Sequence, residues 1–342
     1  MAEQNVTPPD PIDYTGIHKF YTIYDALKAI NNIENAFVIA LIGYSMYSYK
    51  IFKALSNKNI PYCIDNSNII PIYTRGILEK VFDINSLNMR KIMNYCFLRI
   101  PNRYLGIQGA SLLFAGGEKS TICGFPKTEH TEIVTIHTHD YDLFMAERNK
   151  PIEEQSKTVV FLDQYIPFHP DYLYINKSPD IAGGNYYKSL CKFFELLENN
   201  YGIEIIIAAH PRSHYDKMPD IFEGRKTIKG RTIELIHQSK FVILHYTTAI
   251  NMAVLFNKPM LFITTNDIER SSLGSFIRTF TSLFNKTPIN IDKPLLINWE
   301  KELFVNKEAY QQYINDYIKM PGSPDIPFWE IVAERLKNYD RT

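Results

Sequence analysis

The 342-residue chain has no excess of either charge: Lys plus Arg number 37, and so do Asp plus Glu. A formal charge of zero argues against broad electrostatic capture of nucleic acid or of an anionic bilayer. Cysteine is scarce, with four residues at 63, 96, 123 and 191 and no CxxC pair. That excludes a disulfide framework and a zinc knuckle. Cys63 and Cys96 lie among apolar residues and read as reduced core thiols. No HExxH helix is present, so the common zinc-enzyme ligand pair is missing. No apolar run nears the roughly 20 residues that span a bilayer. The opening MAEQNVTPPDPIDYTG is polar and proline-rich, unlike a signal peptide. The expectation is a cytoplasmic chain.

Apolar residues make up 45% of the chain and aromatics 13%, enough for two sizeable cores. The length suits two domains rather than one. The pattern predicts a flexible lead-in over residues 1–16, a first domain over 17–150, a second over 151–300, and C-terminal helices over 301–342. Polar, proline-containing residues 149–157 read as the linker. The first domain opens with a helix over 21–32 and a buried strand over 36–42 that ends at Gly43. A helix over 44–55 follows, with Ser45 as its candidate cap, and then a strand over 61–64. This β–α–β unit lacks the GxGxxG pyrophosphate fingerprint, so a dinucleotide site there is not expected. Helices are predicted over 73–80 and 87–98, and strands over 104–107, 111–115 and 132–136.

The most informative stretch is 203–265. Three short apolar runs, 205–209, 241–244 and 260–263, are apolar on both faces, as parallel strands covered from both sides should be. Helical spacing separates them over 232–238 and 249–256. Polar residues stand just past the strand ends, where open α/β sheets bind ligands. His210, Pro211 and Arg212 follow the first run. His245, Tyr246, Thr247 and Thr248 follow the second and open a helix. Hydroxyls and free N–H groups at a helix start suit an anion, and Arg212 suits a phosphate. A simple cap at Thr247 or Thr248 is the competing reading. Another His-Pro pair, His169-Pro170, falls in a long aromatic loop over 165–185 and receives no phosphate role. Arg225, Lys226, Lys229 and Arg231 form a local basic patch, either facing a phosphate or merely solvated.

A strand ending in His-Pro, followed by a strand ending in paired hydroxyls, resembles the C-terminal half of bacterial GT-B glycosyltransferases. The resemblance is to CMP-sugar-using enzymes of surface-polysaccharide synthesis: sialyltransferases, polysialyltransferases and Kdo transferases. It implies an α/β fold of two Rossmann-like domains facing a cleft, with the C-terminal helices over 301–342 able to cross back onto the first domain. It also implies an inverting, metal-independent transfer of an acidic sugar from a CMP-sugar to a glycan or glycolipid of capsule, lipopolysaccharide or O-antigen. No cofactor beyond the nucleotide-sugar donor is expected, and no nucleic-acid partner. A glycolipid acceptor would add loose attachment to the inner face of the membrane. His210, Thr247 and Thr248 would hold the phosphate, with His245, Pro211, Arg212 and Lys229 beside them. His210 would also steady or protonate the leaving group.

The sialyltransferases' acidic Asp/Glu-Asp/Glu-Gly motif is absent here, so the general base must lie elsewhere. HTHDYD, over 137–142, follows a predicted strand and holds two histidines and two carboxylates. Asp140 is the first choice, with Asp142 and Glu118 next, and His139 able to serve as well. A helix cap is the plainer role for either aspartate. Two alternatives stay open: an enzyme resembling UDP-GlcNAc 2-epimerases, and a non-catalytic nucleotide-binding component of polysaccharide assembly. The epimerases carry Asp-Ser-Gly-Gly where this chain reads His245-Tyr246-Thr247-Thr248-Ala249, without glycine.

Overall fold

A computed structural model describes residues 16–71, 89–152, 157–174, 178–294 and 297–339. The helix expected over 73–80 lies outside these residues, as do most of the lead-in and parts of the helix over 87–98 and of the linker. Contacts divide the chain into two units. The body of one is Asp140–Ile314; the other joins Asp13–Ile70, Thr74–His139 and Asn315–Thr342.

The N-terminal unit is built on four parallel strands in simple sequence order: β1 (Val38–Ala40), β2 (Tyr62–Asp65), β3 (Leu112–Ala115) and β4 (Glu132–Thr135). A sheet that adds each strand on the same side, through right-handed crossovers, puts its connecting helices on one face. That face carries Tyr62, Ile64 and Leu113 against Phe52 and Leu55 of the helix Tyr49–Asn57. The opposite face, with Cys63, Leu112 and Phe114, would be bare. The end of the chain covers it: Phe328, Ile331 and Val332 of the helix Phe328–Lys337 pack there.

Gly117, just past β3, makes this return possible, and Gly116 beside it admits the backbone at Ser67. A Cβ on Gly116 would sit 2.6 Å from the Ser67 carbonyl, and one on Gly117 would overlap the backbone at Asp316 and Tyr317. The close approach that this glycine pair permits is to the chain's own backbone. Residues 318–320 run along it, with the Thr138 N–H donating to Ile318 O (2.9 Å) and the Met320 N–H to Gly116 O (3.0 Å).

The C-terminal unit holds six parallel strands: β5 (Thr158–Leu162), β6 (Glu204–Ala209), β7 (Thr227–Lys229), β8 (Val242–Leu244), β9 (Met260–Thr264) and β10 (Ile289–Asn290). Their spatial order is β10-β9-β8-β5-β6-β7. Counted from β5 as strand one, this is the doubly wound order 3-2-1-4-5-6, and it reverses between β5 and β8. β8 is apolar and buried throughout, and β5 and β9 are so apart from Thr158 and Thr264 at their ends, as strands covered on both faces must be. The 19-residue helix Gly183–Tyr201 lays Tyr186, Leu190, Phe194 and Leu197 over one face. Phe262 meets Phe280 and Phe284 on the other.

Three expectations are corrected. Tyr104 and Leu105 are helical, not extended: Pro101 starts the turn Asn102–Leu105, and Gly106 ends it at φ 66°. The helix expected over 301–318 is broken: Trp299–Glu302 stops, and a new helix Lys307–Tyr313 starts where Asn306 caps the Ala309 N–H (3.1 Å). The unit boundary expected at 150 falls between His139 and Asp140. The reason is the packing of helix His139–Glu147 within the C-terminal unit, where Phe144 meets Phe256 and the buried Glu147 lies 3.5 Å from His237.

Candidate active site

The sheet's reversal point is organised by the two residues that follow β5. Asp163 is fully buried, and its Oδ2 accepts the His210 N–H (3.2 Å) at the end of β6. Gln164 Oε1 accepts the Tyr246 N–H (3.1 Å) at the end of β8. One strand end therefore clips both of its neighbours. The residues after β6 and after β8 stand one strand apart on either side, about 10 Å at ordinary strand spacing. Side chains from both can reach toward a ligand above β5.

Asp163 also takes the Tyr165 N–H (2.9 Å) and the Tyr215 hydroxyl (2.9 Å). These donors favour its charged form, yet burial prevails and lifts its pKa to about 6. Tyr165 stands at φ 53°, an uncommon conformation for a bulky residue, which the Asp163 bond to its N–H supports.

His210 is half-buried, and its Nδ1 accepts the Arg212 N–H (3.2 Å). Burial, then His169 and Arg212, push its pKa down to about 4, so the ring is neutral at pH 7. With Nδ1 accepting, the hydrogen sits on Nε2. His210 is thus a hydrogen-bond donor rather than a cationic acid. His169, which sequence position left unassigned, packs edge-on against it at 4.8 Å between ring centres. Arg212 donates to Asp171 Oδ1 (3.0 Å) and lies 3.3 Å from His169 Nε2. The two His-Pro pairs therefore meet, because the loop after β5 folds back over the end of β6.

The other expected site residues divide. Thr247 is half-buried and its hydroxyl accepts the Ala249 N–H (3.3 Å), while Thr248 is exposed. The following helix is short, Ile250–Leu255. His245 points into the core: Nδ1 donates to Ile263 O (2.8 Å), Nε2 accepts from the Tyr186 hydroxyl (3.0 Å), and the residue is fully buried. No ring nitrogen is left for a ligand. Pro211 is exposed and contributes a rigid corner. Lys229 spends a bond on Ser213 O (2.9 Å). Arg225 is held by Glu198 (2.7 Å), and Arg231 pairs with Glu234, so two of the four cations of the expected basic patch are paired within the chain.

The candidate bases are also sorted. Asp140 belongs to the C-terminal unit and accepts from the Asn251 amide (2.8 Å); the Asn251 carbonyl in turn accepts from the Tyr313 hydroxyl (3.1 Å). It ties its helix to the one after Thr248. Asp142, in the same first turn, is half-buried. Glu118 is exposed in a single turn after Gly117. His139 is in the N-terminal unit, 3.8 Å from Asp65 at the end of β2, with its ring on Phe328 at 3.9 Å. Among the described residues no group of three or more His, Cys, Asp or Glu side chains is arranged to hold a metal. Among them, too, no helix is long and apolar enough to cross a membrane.

No protein-family model matches the chain, and no curated protein matches its sequence. Solved structures do resemble it. The calicheamicin glycosyltransferase CalG4 superposes with a TM-score of 0.52 at 9% identity, over 93% of this chain and 77% of that one. The Staphylococcus aureus MnaA–UDP co-structure gives 0.49 at 12%, over 93% and 79%. Acinetobacter baumannii MurG gives 0.42 at 9%, over 92% and 77%. At these identities the likeness is one of fold. The chain has the α/β architecture of two Rossmann-like units found in GT-B enzymes.

Proposed function

We propose that the protein is a nucleotide-sugar-dependent glycosyltransferase whose donor phosphate lies at the reversal point of the six-stranded sheet. The observation that carries this reading is the double clip of Asp163 and Gln164, which holds His210 and the Tyr246–Thr248 corner on the two sides of β5. The neutral His210 offers Nε2–H to a phosphate oxygen. Arg212 adds a fork of donors and exchanges Asp171 for the ligand. Thr247 and Thr248 contribute hydroxyls. Negative charge grows on the phosphate as the glycosidic bond breaks, so these donors act most strongly in the transition state.

The finer reading is a CMP-linked acidic sugar transferred with inversion. It is supported by the pattern of His210-Pro211 and Thr247-Thr248 and by that alone. For the acceptor's proton we move the assignment from Asp140, whose carboxylate takes the Asn251 amide, to His139. Its ring lies 3.8 Å from Asp65 and stacks on Phe328, which fix its position.

Thermal-shift screening across CMP, UDP, GDP and CDP-glycerol tests the reading. A nucleotide at about a hundred times its Kd should raise apparent stability by about 2.7 kcal/mol. Wild type should respond to CMP, and His210→Ala should respond far less. A response to none of the four removes the nucleotide assignment. Epimer formed from a UDP-sugar without acceptor would replace transfer with epimerisation.

A further inference from the structure

The chain is neutral overall, but its charges are not evenly spread. Residues 35–64 and 92–117 hold no Asp or Glu at all, while they carry Lys50, Lys53, Arg99 and Arg103, and Lys58, which instead lines a cavity with Glu34. The fold brings these two stretches together within the N-terminal unit. Tyr44 donates to Asn102 Oδ1 (3.1 Å) and the Met46 N–H to Asn94 Oδ1 (2.8 Å). The Phe97 ring lies between Tyr44 (5.8 Å) and Tyr49 (5.2 Å).

Large apolar side chains stand out from the joined surface rather than in. Leu41 is 68% exposed, Tyr47 58% and Tyr104 71%, with Met93, Tyr95 and Leu98 all above 40%. Two of the cations sit over exposed rings: Arg99 is 3.8 Å from the centre of Tyr95, and Arg103 is 5.0 Å from that of Tyr104. The loop that carries Leu41 and Tyr47 directly follows β1, at the carboxyl edge of the sheet.

We propose that this face seats the protein on an anionic phospholipid bilayer. Aliphatic Leu41, Met93 and Leu98 suit acyl chains, and tyrosine suits the headgroup level. Cations with no ion pair among the described residues suit anionic lipid, each strengthening attachment about fivefold near such a surface. A second copy of the chain fits poorly, because a two-fold contact would set Arg99 and Arg103 against their own images with no carboxylate between. A nucleic acid fits poorly too, since exposed leucines offer phosphates and bases nothing. The inference extends the proposed function, for which a lipid-linked acceptor would arrive at this edge. It does not depend on that function, because a vesicle assay contains neither donor nor acceptor.

The test is co-sedimentation with vesicles of phosphatidylcholine, with and without a minority of phosphatidylglycerol. Wild type should bind the anionic vesicles and release in high salt. Leu41→Ser with Tyr104→Ser, which leaves the charge unchanged, should lower partitioning at least about tenfold. Arg99→Gln with Arg103→Gln should do the same, while the paired Arg→Lys changes should retain binding. All the side chains are exposed, so melting temperatures should match wild type. Failure to bind anionic vesicles overturns the proposal, as does binding that both double variants leave unchanged. A concentration-dependent dimer abolished by the serine variant, or tighter binding to single-stranded RNA than to vesicles, overturns it as well.

Discussion

Asp163→Asn separates two effects that the buried carboxylate combines. In wild type, burial raises the Asp163 pKa to about 6. A native-state pKa above the unfolded value means that the folded chain holds the proton more tightly. The associated stability is complete below the unfolded value and is lost as pH rises through about 6. From the ordinary aspartate value of 3.8 to about 6, the loss by pH 7 is about 3 kcal/mol. Asparagine does not ionise and avoids that loss. It introduces another: Asp163 Oδ1 accepts the Tyr165 N–H and Oδ2 the His210 N–H, and an amide has only one oxygen. One buried N–H loses its acceptor, at about 1–3 kcal/mol. The Tyr215 hydroxyl can adapt by turning toward Tyr187, 3.0 Å away.

The variant should therefore be less stable than wild type near pH 4 and close to it at pH 7. Its difference from wild type should change by about 3 kcal/mol across that range. Urea unfolding of both proteins at several pH values measures this, and subtraction removes the shared contribution of other groups. Nucleotide affinity should fall at every pH, because losing either bond loosens the end of β5 that positions His210. A stability difference that does not vary with pH would refute the burial argument, and unchanged affinity would refute the clip.

Four further outcomes follow from the same geometry. His210→Ala should lower kcat at least about a hundredfold with little change in melting temperature; near-wild-type turnover would retire the assignment. His245, buried and held down to about pKa 4, should behave oppositely: its stability is present above the unfolded value of 6.5 and lost as pH falls toward 4. Unfolding free energies of wild type should decline by about 3 kcal/mol more than those of His245→Gln over that interval. Asp171→Asn should tighten nucleotide binding several-fold by freeing Arg212, measured by calorimetry; weaker binding would show Asp171 to be a positioning group instead. Gly117→Ala should destabilise the N-terminal unit by about 1–3 kcal/mol through overlap with the Asp316 backbone, read as earlier hydrogen exchange in β3.

The inner strands β6, β8 and β9 were legible because they are short apolar runs covered on both faces, so burial alone marks Ile205–Ile207 or Leu261–Ile263; β7, with only Ile228 turned partly inward, left no such mark. Position at a strand end drew attention to His210. The same rule misled at His245, where the residue follows β8 yet turns inward to Ile263 and Tyr186. Nothing local distinguishes those two histidines; the difference is set by partners 18 and 59 residues away. His169 was missed for the converse reason, since a loop residue's neighbours depend on how the loop folds. The second His-Pro pair was nonetheless a usable signal. Arg225 of the basic patch is held by Glu198, 27 residues before it in the chain, a pairing that sequence position does not reveal. The return of Asn315–Thr342 to the first sheet was an expectation of the GT-B resemblance rather than of any local pattern.

The most direct measurement is a structure of the protein with bound nucleotide, CMP first and UDP next. The account predicts a phosphate oxygen within about 3 Å of His210 Nε2, with Arg212 released from Asp171 and a Thr247 or Thr248 hydroxyl on the same phosphate. A nucleotide bound away from the reversal point between β5 and β8, with His210 untouched, would contradict it.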